Sequence, residues 1–161
     1  MSENLSIVVP VYNEGKNIEL LIDKIYQFVK IDKEIIIVYD FDEDDTIPVV
    51  QRLQSLSSRN IRLEKNSHRK GPVGAVISGF KTCKNEKICV LSADLTDEVD
   101  AIPQMYALSQ KGYDVVAATR YSSKSKKTGG PFFKGLISVA LNRSFQVLTD
   151  FPLSDSTYSF R

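Results

Sequence analysis

Short apolar runs alternate with helical repeats along most of the chain. Five runs rich in β-branched residues predict strands, and three of them are apolar over nearly their whole length, as strands that are covered on both faces should be. They extend from Leu5 to Pro10, Glu34 to Asp40, Ile61 to Glu64, Lys87 to Ser92 and Asp114 to Ala118. Between the runs, apolar residues recur at helical spacing: Ile18, Leu21, Ile22, Ile25 and Val29; Val49, Val50, Leu53 and Leu56; Val73, Val76, Ile77 and Phe80. The alternation predicts an α/β fold: a mostly parallel, Rossmann-like sheet with helices on both faces.

The ends of the predicted helices carry further signals. Asp44 and Asp100 stand where the N-cap of a helix belongs. A stretch from Ser122 to Gly130, rich in Ser, Lys and Gly, predicts a loop, and an amphipathic pattern from about Phe132 to Leu148 predicts a final helix.

Composition narrows the class of protein. A chain of 161 residues with 42% hydrophobic residues is large enough for one continuous core. The net charge of +1 gives no reason to expect a nucleic-acid partner. Cys83 and Cys89 lack the spacing of a metal or redox motif, so we expect reduced packing residues. No run approaches the roughly 18 apolar residues of a membrane span, so we expect this part of the chain to be soluble, and the reduced cysteines predict a cytoplasmic protein.

Polar residues follow the predicted strands, where ligands bind in open parallel sheets. Tyr12, Asn13 and Glu14 follow the first strand, five carboxylates lie between Asp40 and Asp45 after the second, and Arg120 follows the fifth. After the fourth strand comes the segment from Ser92 to Asp97. These positions predict a ligand site at one edge of the sheet.

Two acidic segments offer different chemistry. Asp94 suits a hard divalent cation that bridges the phosphates of a nucleotide diphosphate, although Asp94 and Asp97 could equally cap the helix that follows. Asp40 lies at a strand tip, where a carboxylate can accept hydrogen bonds from a base or ribose. Asp44 is expected to cap its helix, and the other acids of that segment could be solvated.

A glycine-rich stretch opens the third predicted helix. Gly71 and Gly74 would allow close approach of the backbone to a ligand, although turns before helices also use glycine for ordinary steric reasons. The stretch lacks the GxGxxG fingerprint, which argues against a nicotinamide enzyme.

Taken in order, these segments resemble family 2 glycosyltransferases, most closely the dolichol-phosphate mannosyltransferase-like branch. The resemblance covers almost the whole chain and rests on shared order and spacing. The matching positions are Val8 to Glu14 with Asn17 and Ile18; Asp40, Asp44 and Thr46; Gly71, Gly74, Ala75 and Gly79; Ala93 to Leu95 with Asp97, Ile102 and Pro103; Gly112 to Val116 with Arg120; Lys134, Ser138 and Asn142; and Asp155 to Arg161.

The resemblance implies a GT-A-like fold and an inverting glycosyltransferase that moves a sugar from a nucleotide-diphospho-sugar to a polyprenyl phosphate. It implies Mg²⁺ or Mn²⁺ as cofactor, held by Asp94. The residues expected to bind the donor are Pro10, Tyr12, Asn13, Glu14, Asp40, Gly71, Gly74, Ala93 and Asp94, and those expected in catalysis are Asp94, Arg120, Lys134 and Asp155. We expect residues 1–161 to be the catalytic domain of a longer protein at the cytoplasmic face of the membrane, in cell envelope glycan biosynthesis.

Three residues depart from the family pattern. Tyr39 and Ser92 each stand where the family carries an acid, and Thr96 replaces a glutamine. Losing one carboxylate weakens a cation site, but Mg²⁺ often relies on one or two carboxylates plus substrate phosphates, so Asp94 could suffice. Two alternatives stay open: transfer to a sugar hydroxyl, with Asp155 as general base instead of a structural residue, or a nucleotide-sugar-binding module without catalytic activity.

Overall fold

Strands and helices alternate through residues 4–118, the part of the chain that the computed structural model describes. In chain order the elements are β1 (Asn4–Pro10), α1 (Ile18–Phe28), β2 (Asp32–Tyr39), α2 (Thr46–Leu56), β3 (Ile61–Lys65), α3 (Pro72–Thr82), β4 (Ile88–Val90), a 3-10 turn (Val99–Ala101) and α4 (Ile102–Ser109). Four of the five predicted strands are therefore present.

The sheet is parallel, as the sequence predicts. Its strand order is β3-β2-β1-β4. Val8 of β1 lies opposite Ile36 of β2 on one side and Val90 of β4 on the other. The chain moves outward from β1 through β2 to β3 and then returns to the other side of β1. The order of the strands thus reverses between β1 and β4, which is the switch point where open α/β sheets bind ligands.

Helices cover both faces of this sheet, which confirms the predicted architecture. Ile7 and Ile35 belong to the main apolar cluster with residues of α1, α2 and α4. Val8 and Ile36 alternate with them and join Ala75 of α3 in a second cluster on the opposite face. The period of two along each strand produces this division.

The apolar stripe that predicted α3 is not the face that packs on the sheet. Its small residues are buried instead: Gly74, Ala75, Ser78 and Gly79. A Cβ atom at Gly79 would lie 2.4 Å from Cγ1 of Val8, so α3 packs closer to β1 than a larger side chain would permit. Val73 and Phe80 of the stripe remain 55% and 46% exposed, because the close approach uses the small face of the helix.

The predicted strand from Asp114 to Ala118 is wrong for this structure. Those residues form no ladder with any other described segment, and Val115 is 49% exposed. Gly112, with φ of 93°, turns the chain, and the segment that follows lines a groove of about 550 Å³ against β4. Apolar content predicts burial, but a strand also needs a neighbour at ladder distance, and here the groove intervenes.

The two predicted helix caps have different outcomes. The N–H of Thr46 donates to Oδ1 of Asp44 at 2.9 Å, so Asp44 stabilises the start of α2 from just outside the cap position. Asp100 lies within the 3-10 turn, and Ala101 occupies the cap of α4, so that prediction is wrong. The turn adds a few residues of helix-like backbone before α4, which displaces Asp100 from the cap.

The remaining sequence predictions concern the two cysteines, membrane spans and the segment after residue 121. Cys83 and Cys89 are free thiols. Burial, and to a smaller extent the nearby charge of Asp97, raises the pKa of Cys89 to about 12. Within residues 4–118, no helix is long and apolar enough to cross a membrane. The predicted loop from Ser122 to Gly130 and helix from Phe132 to Leu148 lie outside the described residues.

Candidate functional site

The loop after β1 is held by the acidic segment after β2. Three consecutive backbone N–H groups donate to three consecutive side chains: Asn13 to Oδ2 of Asp44 at 3.1 Å, Glu14 to Oγ1 of Thr46 at 2.9 Å and Gly15 to Oδ1 of Asp45 at 2.8 Å. Asn13 has φ of 55°, a left-handed conformation that asparagine tolerates. These contacts explain part of the carboxylate run, because Asp44 and Asp45 accept hydrogen bonds from backbone N–H groups that stabilise their charged forms.

Asp40 joins the end of β2 to the start of α3. Its Oδ1 accepts a hydrogen bond from Nδ2 of Asn66 at 2.6 Å, and its Oδ2 accepts one from the N–H of Gly71 at 2.7 Å. Gly71 is the N-cap of α3, with φ of 103°. An ionised carboxylate has about four acceptor positions, so Asp40 can still receive donors from a ligand.

The segment after β4 is held together by its own carboxylates. Oδ1 of Asp94 accepts hydrogen bonds from the N–H and Oγ1 of Thr96 at 3.0 and 2.7 Å, and Oδ2 of Asp97 accepts one from the N–H of Ser92 at 2.6 Å. Leu95 between them has φ of 62°. Burial opposes ionisation of Asp94, but hydrogen bonds from Thr96 and Ser92 outweigh it and lower its pKa. The side chain of Asp94 is therefore held as a carboxylate anion, the form that can bind a cation.

These three segments meet around one cavity of about 880 Å³ at the carboxyl ends of the strands. Seven of the predicted donor-binding residues line it: Pro10, Tyr12, Glu14, Asp40, Gly71, Ala93 and Asp94. The cavity lies between the ends of β1 and β4, at the switch point of the sheet. The volume lies in the range of small-molecule and cofactor sites.

Two predicted donor-binding residues do not line the cavity. Asn13 faces the acidic segment instead: its N–H donates to Asp44, and its Oδ1 accepts the N–H of Asp45 at 3.4 Å. Gly74 has a packing role, because a Cβ atom there would lie 1.6 Å from the carbonyl oxygen of Arg69. The predicted residues Arg120, Lys134 and Asp155 lie outside the described residues.

The sequence did not reveal the apolar wall of the cavity. Helix α3 supplies most of it, through Pro72, Val73, Val76, Ile77 and Phe80, and the end of β4 adds Val90 and Leu91. The helical spacing of these side chains was visible, but it indicates an apolar face without saying whether a sheet or a cavity meets it. Tyr12, which also lines the cavity, is 70% exposed and contacts Phe41 edge to face, with ring centroids 5.4 Å apart.

Acidic groups dominate the charge of the cavity. Among the described residues that line it, the charged side chains are Glu14, Asp40 and Asp94. A diphosphate placed beside three carboxylates would be repelled unless a cation or basic side chains neutralised it. The cavity therefore suits a phosphorylated ligand only together with such positive charge.

The residues present could hold a divalent cation only with help from a ligand. Within residues 4–118, no group of three His, Cys, Asp or Glu side chains could enclose a metal ion. Asp94 offers a carboxylate, and Ser92 and Thr96 bring hydroxyl groups nearby, all of them oxygen atoms. This set fits the mode in which Mg²⁺ is bound by one carboxylate and by substrate phosphates.

The sequence of this chain matches a known protein family over most of its length. The family model described as Glycosyl transferase family 2 matches residues 6–155. The chain belongs to glycosyltransferase family 2. The predicted family is thereby confirmed.

Relatives within this family act on lipid phosphates, as their names state. The dolichol-phosphate mannosyltransferase of Pyrococcus furiosus is 32% identical over 136 residues, which are 83% of this chain and 38% of that protein. The undecaprenyl-phosphate 4-deoxy-4-formamido-L-arabinose transferase of Pseudomonas savastanoi pv. phaseolicola is 31% identical over 143 residues, which are 87% of this chain and 42% of that protein. The chain thus spans less than half the length of these two relatives.

A solved structure confirms the GT-A fold. Glucosyl-3-phosphoglycerate synthase from Mycobacterium tuberculosis, in complex with Mn²⁺, uridine-diphosphate-glucose and phosphoglyceric acid, superposes with a TM-score of 0.72. The match covers 98% of this chain and 55% of that chain, at 18% sequence identity. At this identity the likeness concerns the fold alone.

Proposed function

We propose that residues 1–161 belong to the catalytic domain of an inverting glycosyltransferase that transfers a sugar from a nucleotide-diphospho-sugar to a polyprenyl phosphate. The observation that carries the proposal is the convergence of the motif residues Tyr12, Asp40, Gly71 and Asp94 on one cavity at the switch point of the sheet. Family membership and the names of the two relatives support the choice of acceptor.

The cavity divides into parts that suit the parts of such a donor. Asp40 and Tyr12 lie at the ends of β2 and β1, where a carboxylate can accept hydrogen bonds from the base and an exposed ring can contact its flat face. Asp94 lies across the switch point at the end of β4 and suits the diphosphate end. The apolar wall of α3 excludes water from one side of the space between them.

Asp94 would hold a Mg²⁺ or Mn²⁺ ion together with phosphate oxygens of the donor. When bound, such an ion neutralises the charge that develops on the leaving diphosphate. The hydrogen bonds that lower the pKa of Asp94 favour the ionised carboxylate that this contact needs. Thr96 fixes the carboxylate through two hydrogen bonds, so that its orientation is set before the donor arrives.

A phosphate acceptor needs little help to attack. With a second pKa of about 6, a phosphate monoester is largely a dianion at neutral pH, so a general base is not required. In this proposal Arg120 and Lys134 bind phosphate oxygens, and the rate depends on aligning the acceptor oxygen with the anomeric carbon. The acceptor would bring the protein to the cytoplasmic face of a membrane. Asp155 would become the general base only if the acceptor were a sugar hydroxyl.

The test separates donor binding from transfer. Isothermal titration of the protein with a panel of uridine- and guanosine-diphospho-sugars, with and without Mn²⁺, should give one donor that binds in a metal-dependent manner. That donor should then transfer its sugar to a short polyprenyl phosphate with inversion, measured by mass spectrometry and NMR. Transfer to a sugar hydroxyl would contradict the acceptor class, donor binding without transfer or hydrolysis would support the binding-module alternative, and no binding would refute the proposal.

A further inference from the structure

One asparagine outside the cavity makes hydrogen bonds at every position of its side-chain amide. Nδ2 of Asn66 donates to Oδ1 of Asp40 at 2.6 Å and to the carbonyl oxygen of Arg69 at 2.8 Å. Oδ1 of Asn66 accepts from the N–H of His68 at 2.9 Å and from Oγ of Ser78 at 2.7 Å. An asparagine amide has two donors and two acceptor positions, so this side chain is saturated.

The neighbours determine the orientation of this amide. Asp40 and the carbonyl group of Arg69 can only accept hydrogen bonds, whereas the N–H of His68 can only donate one. A flipped amide would set donor against donor and acceptor against acceptor. The backbone N–H of Asn66 also donates to the carbonyl oxygen of Tyr39 at 2.8 Å, so the residue is fixed to the end of β2 as well.

The contacts of Asn66 link two parts of the cavity wall. Asp40, at the end of β2, and Gly71, at the start of α3, both line the cavity, and Asp40 accepts the N–H of Gly71. Asn66 holds the other oxygen of Asp40 and, through Arg69, the turn that leads into Gly71. Ser78, 1% exposed in the middle of α3, ties the amide of Asn66 to the body of the helix and accepts the N–H of Ser67 at 3.1 Å.

We propose that Asn66 is a positioning residue for the donor nucleotide: without touching it, Asn66 fixes the carboxylate of Asp40 and the start of α3 in one arrangement. Free rotation of Asp40 would cost the site conformational entropy on binding, which a preformed arrangement avoids. Asn66 itself does not line the cavity. The inference rests on the proposed function, because it assumes that a nucleotide occupies this wall.

The test compares two isosteric exchanges. Asn66→Asp keeps the shape of the side chain but replaces its donors with an anion beside Asp40, which repels that carboxylate. Asn85→Asp is the matched control, because the amide of Asn85 also donates a partly buried hydrogen bond, to Oγ of Ser6 at 3.1 Å, and neither residue lines the cavity. Ser78→Ala is a milder second variant that removes one of the bonds to Asn66.

Two measurements decide the outcome. Titration with the nucleoside diphosphate that the parent protein binds should show at least about tenfold weaker affinity for Asn66→Asp, a smaller loss for Ser78→Ala and parent affinity for Asn85→Asp. Hydrogen exchange without nucleotide should be faster at the N–H groups of His68 and Gly71 in Asn66→Asp, and unchanged there in Asn85→Asp. Where transfer is measured, KM for the donor should rise more than kcat falls.

Different results would overturn the role of Asn66 and the proposed function. Parent affinity in Asn66→Asp would overturn the role of Asn66 while leaving the proposed function intact. Equal losses in Asn66→Asp and Asn85→Asp would also overturn it, because general destabilisation would then explain both. A parent protein that binds no nucleoside diphosphate would instead refute the proposed function and, with it, this inference.

Discussion

The carboxylate of Asp44 accepts the backbone N–H of Asn13 at 3.1 Å, although the two residues are 31 positions apart in the chain. Asp44 is 1% exposed and also accepts the N–H of Thr46 at the start of α2. This one side chain therefore joins the loop after β1 to the helix after β2. The neighbouring residue Tyr12 reaches the cavity from a loop whose backbone is fixed in advance.

We expect Asp44→Ala to destabilise the fold by about 1–3 kcal/mol, because the buried N–H of Thr46 and the partly buried N–H of Asn13 lose their acceptor. Urea unfolding measures the change, and nucleotide affinity should fall with it as the loop loosens. Glu43→Ala is the control, since Glu43 is the exposed neighbour. Equal stability of the two variants would show that the contact contributes little.

We expect Asp40→Ala to weaken nucleotide binding about tenfold or more, with or without metal, because Asp40 lies at the strand tip and not at the expected metal position. Titration of the nucleoside diphosphate alone measures this. Asp42→Ala changes an exposed acid that pairs with Lys65 and should bind as the parent does. Unchanged affinity in Asp40→Ala would remove Asp40 from the donor site.

We expect Ser92→Asp to tighten metal-dependent donor binding, because hard cations gain affinity as ligand charge increases. Asp94→Ala should abolish the metal dependence. Donor titrations over a range of Mn²⁺ concentrations measure both. If Ser92→Asp leaves the metal response unchanged and Asp94→Ala only lowers the melting temperature, the segment is structural. Weaker donor binding by Ser92→Asp without metal would indicate direct contact of Ser92 with the diphosphate.

We expect Gly79→Ala to destabilise the protein by about 1–3 kcal/mol, because the new methyl group would overlap with Val8 and force α3 away from the sheet. A double-mutant cycle with Val8→Ala checks the cause, since the smaller partner should relieve part of the cost. Strictly additive losses would show that the contact between these two residues is not the reason.

The stability of the protein should fall in acid through Glu34, which is 2% exposed. Burial opposes its ionisation, but hydrogen bonds from Ser6, from the N–H of Lys84 and from Arg62 outweigh it, so the folded state has a pKa below the ordinary value of 4.5. A depressed carboxyl pKa stabilises the fold above the unfolded pKa, and this contribution is lost as the pH falls through the folded pKa.

Glu34→Gln tests this contribution. The variant should be less stable than the parent at about pH 7, and the difference should shrink as the pH falls below about 4.5. Urea unfolding at several pH values measures both proteins. A difference that stays constant with pH would assign the loss to shape or packing instead of charge.

Several features of the molecule follow from the sequence alone. The runs from Ile7 to Val9 and from Ile35 to Val38 are apolar on both sides of each strand, and only a sheet covered on both faces buries such runs. The order of the motifs at Tyr12, Asp40 and Asp94 then predicts where a ligand binds, because the carboxyl ends of parallel strands meet at one edge. These predictions depend on local pattern and on chain order, which the sequence contains.

Other features required the tertiary structure. The stripe through Val73 and Phe80 could have faced a sheet or a cavity; the small residues around Gly79 let α3 approach β1, so the stripe became the wall. Apolar content could not reveal that residues 114–118 form no ladder with the strands of residues 4–118. Nor could it show that Asn66 holds Asp40, because that hydrogen bond joins residues 26 positions apart. Such contacts depend on how separate elements pack, and local sequence patterns do not record those distances.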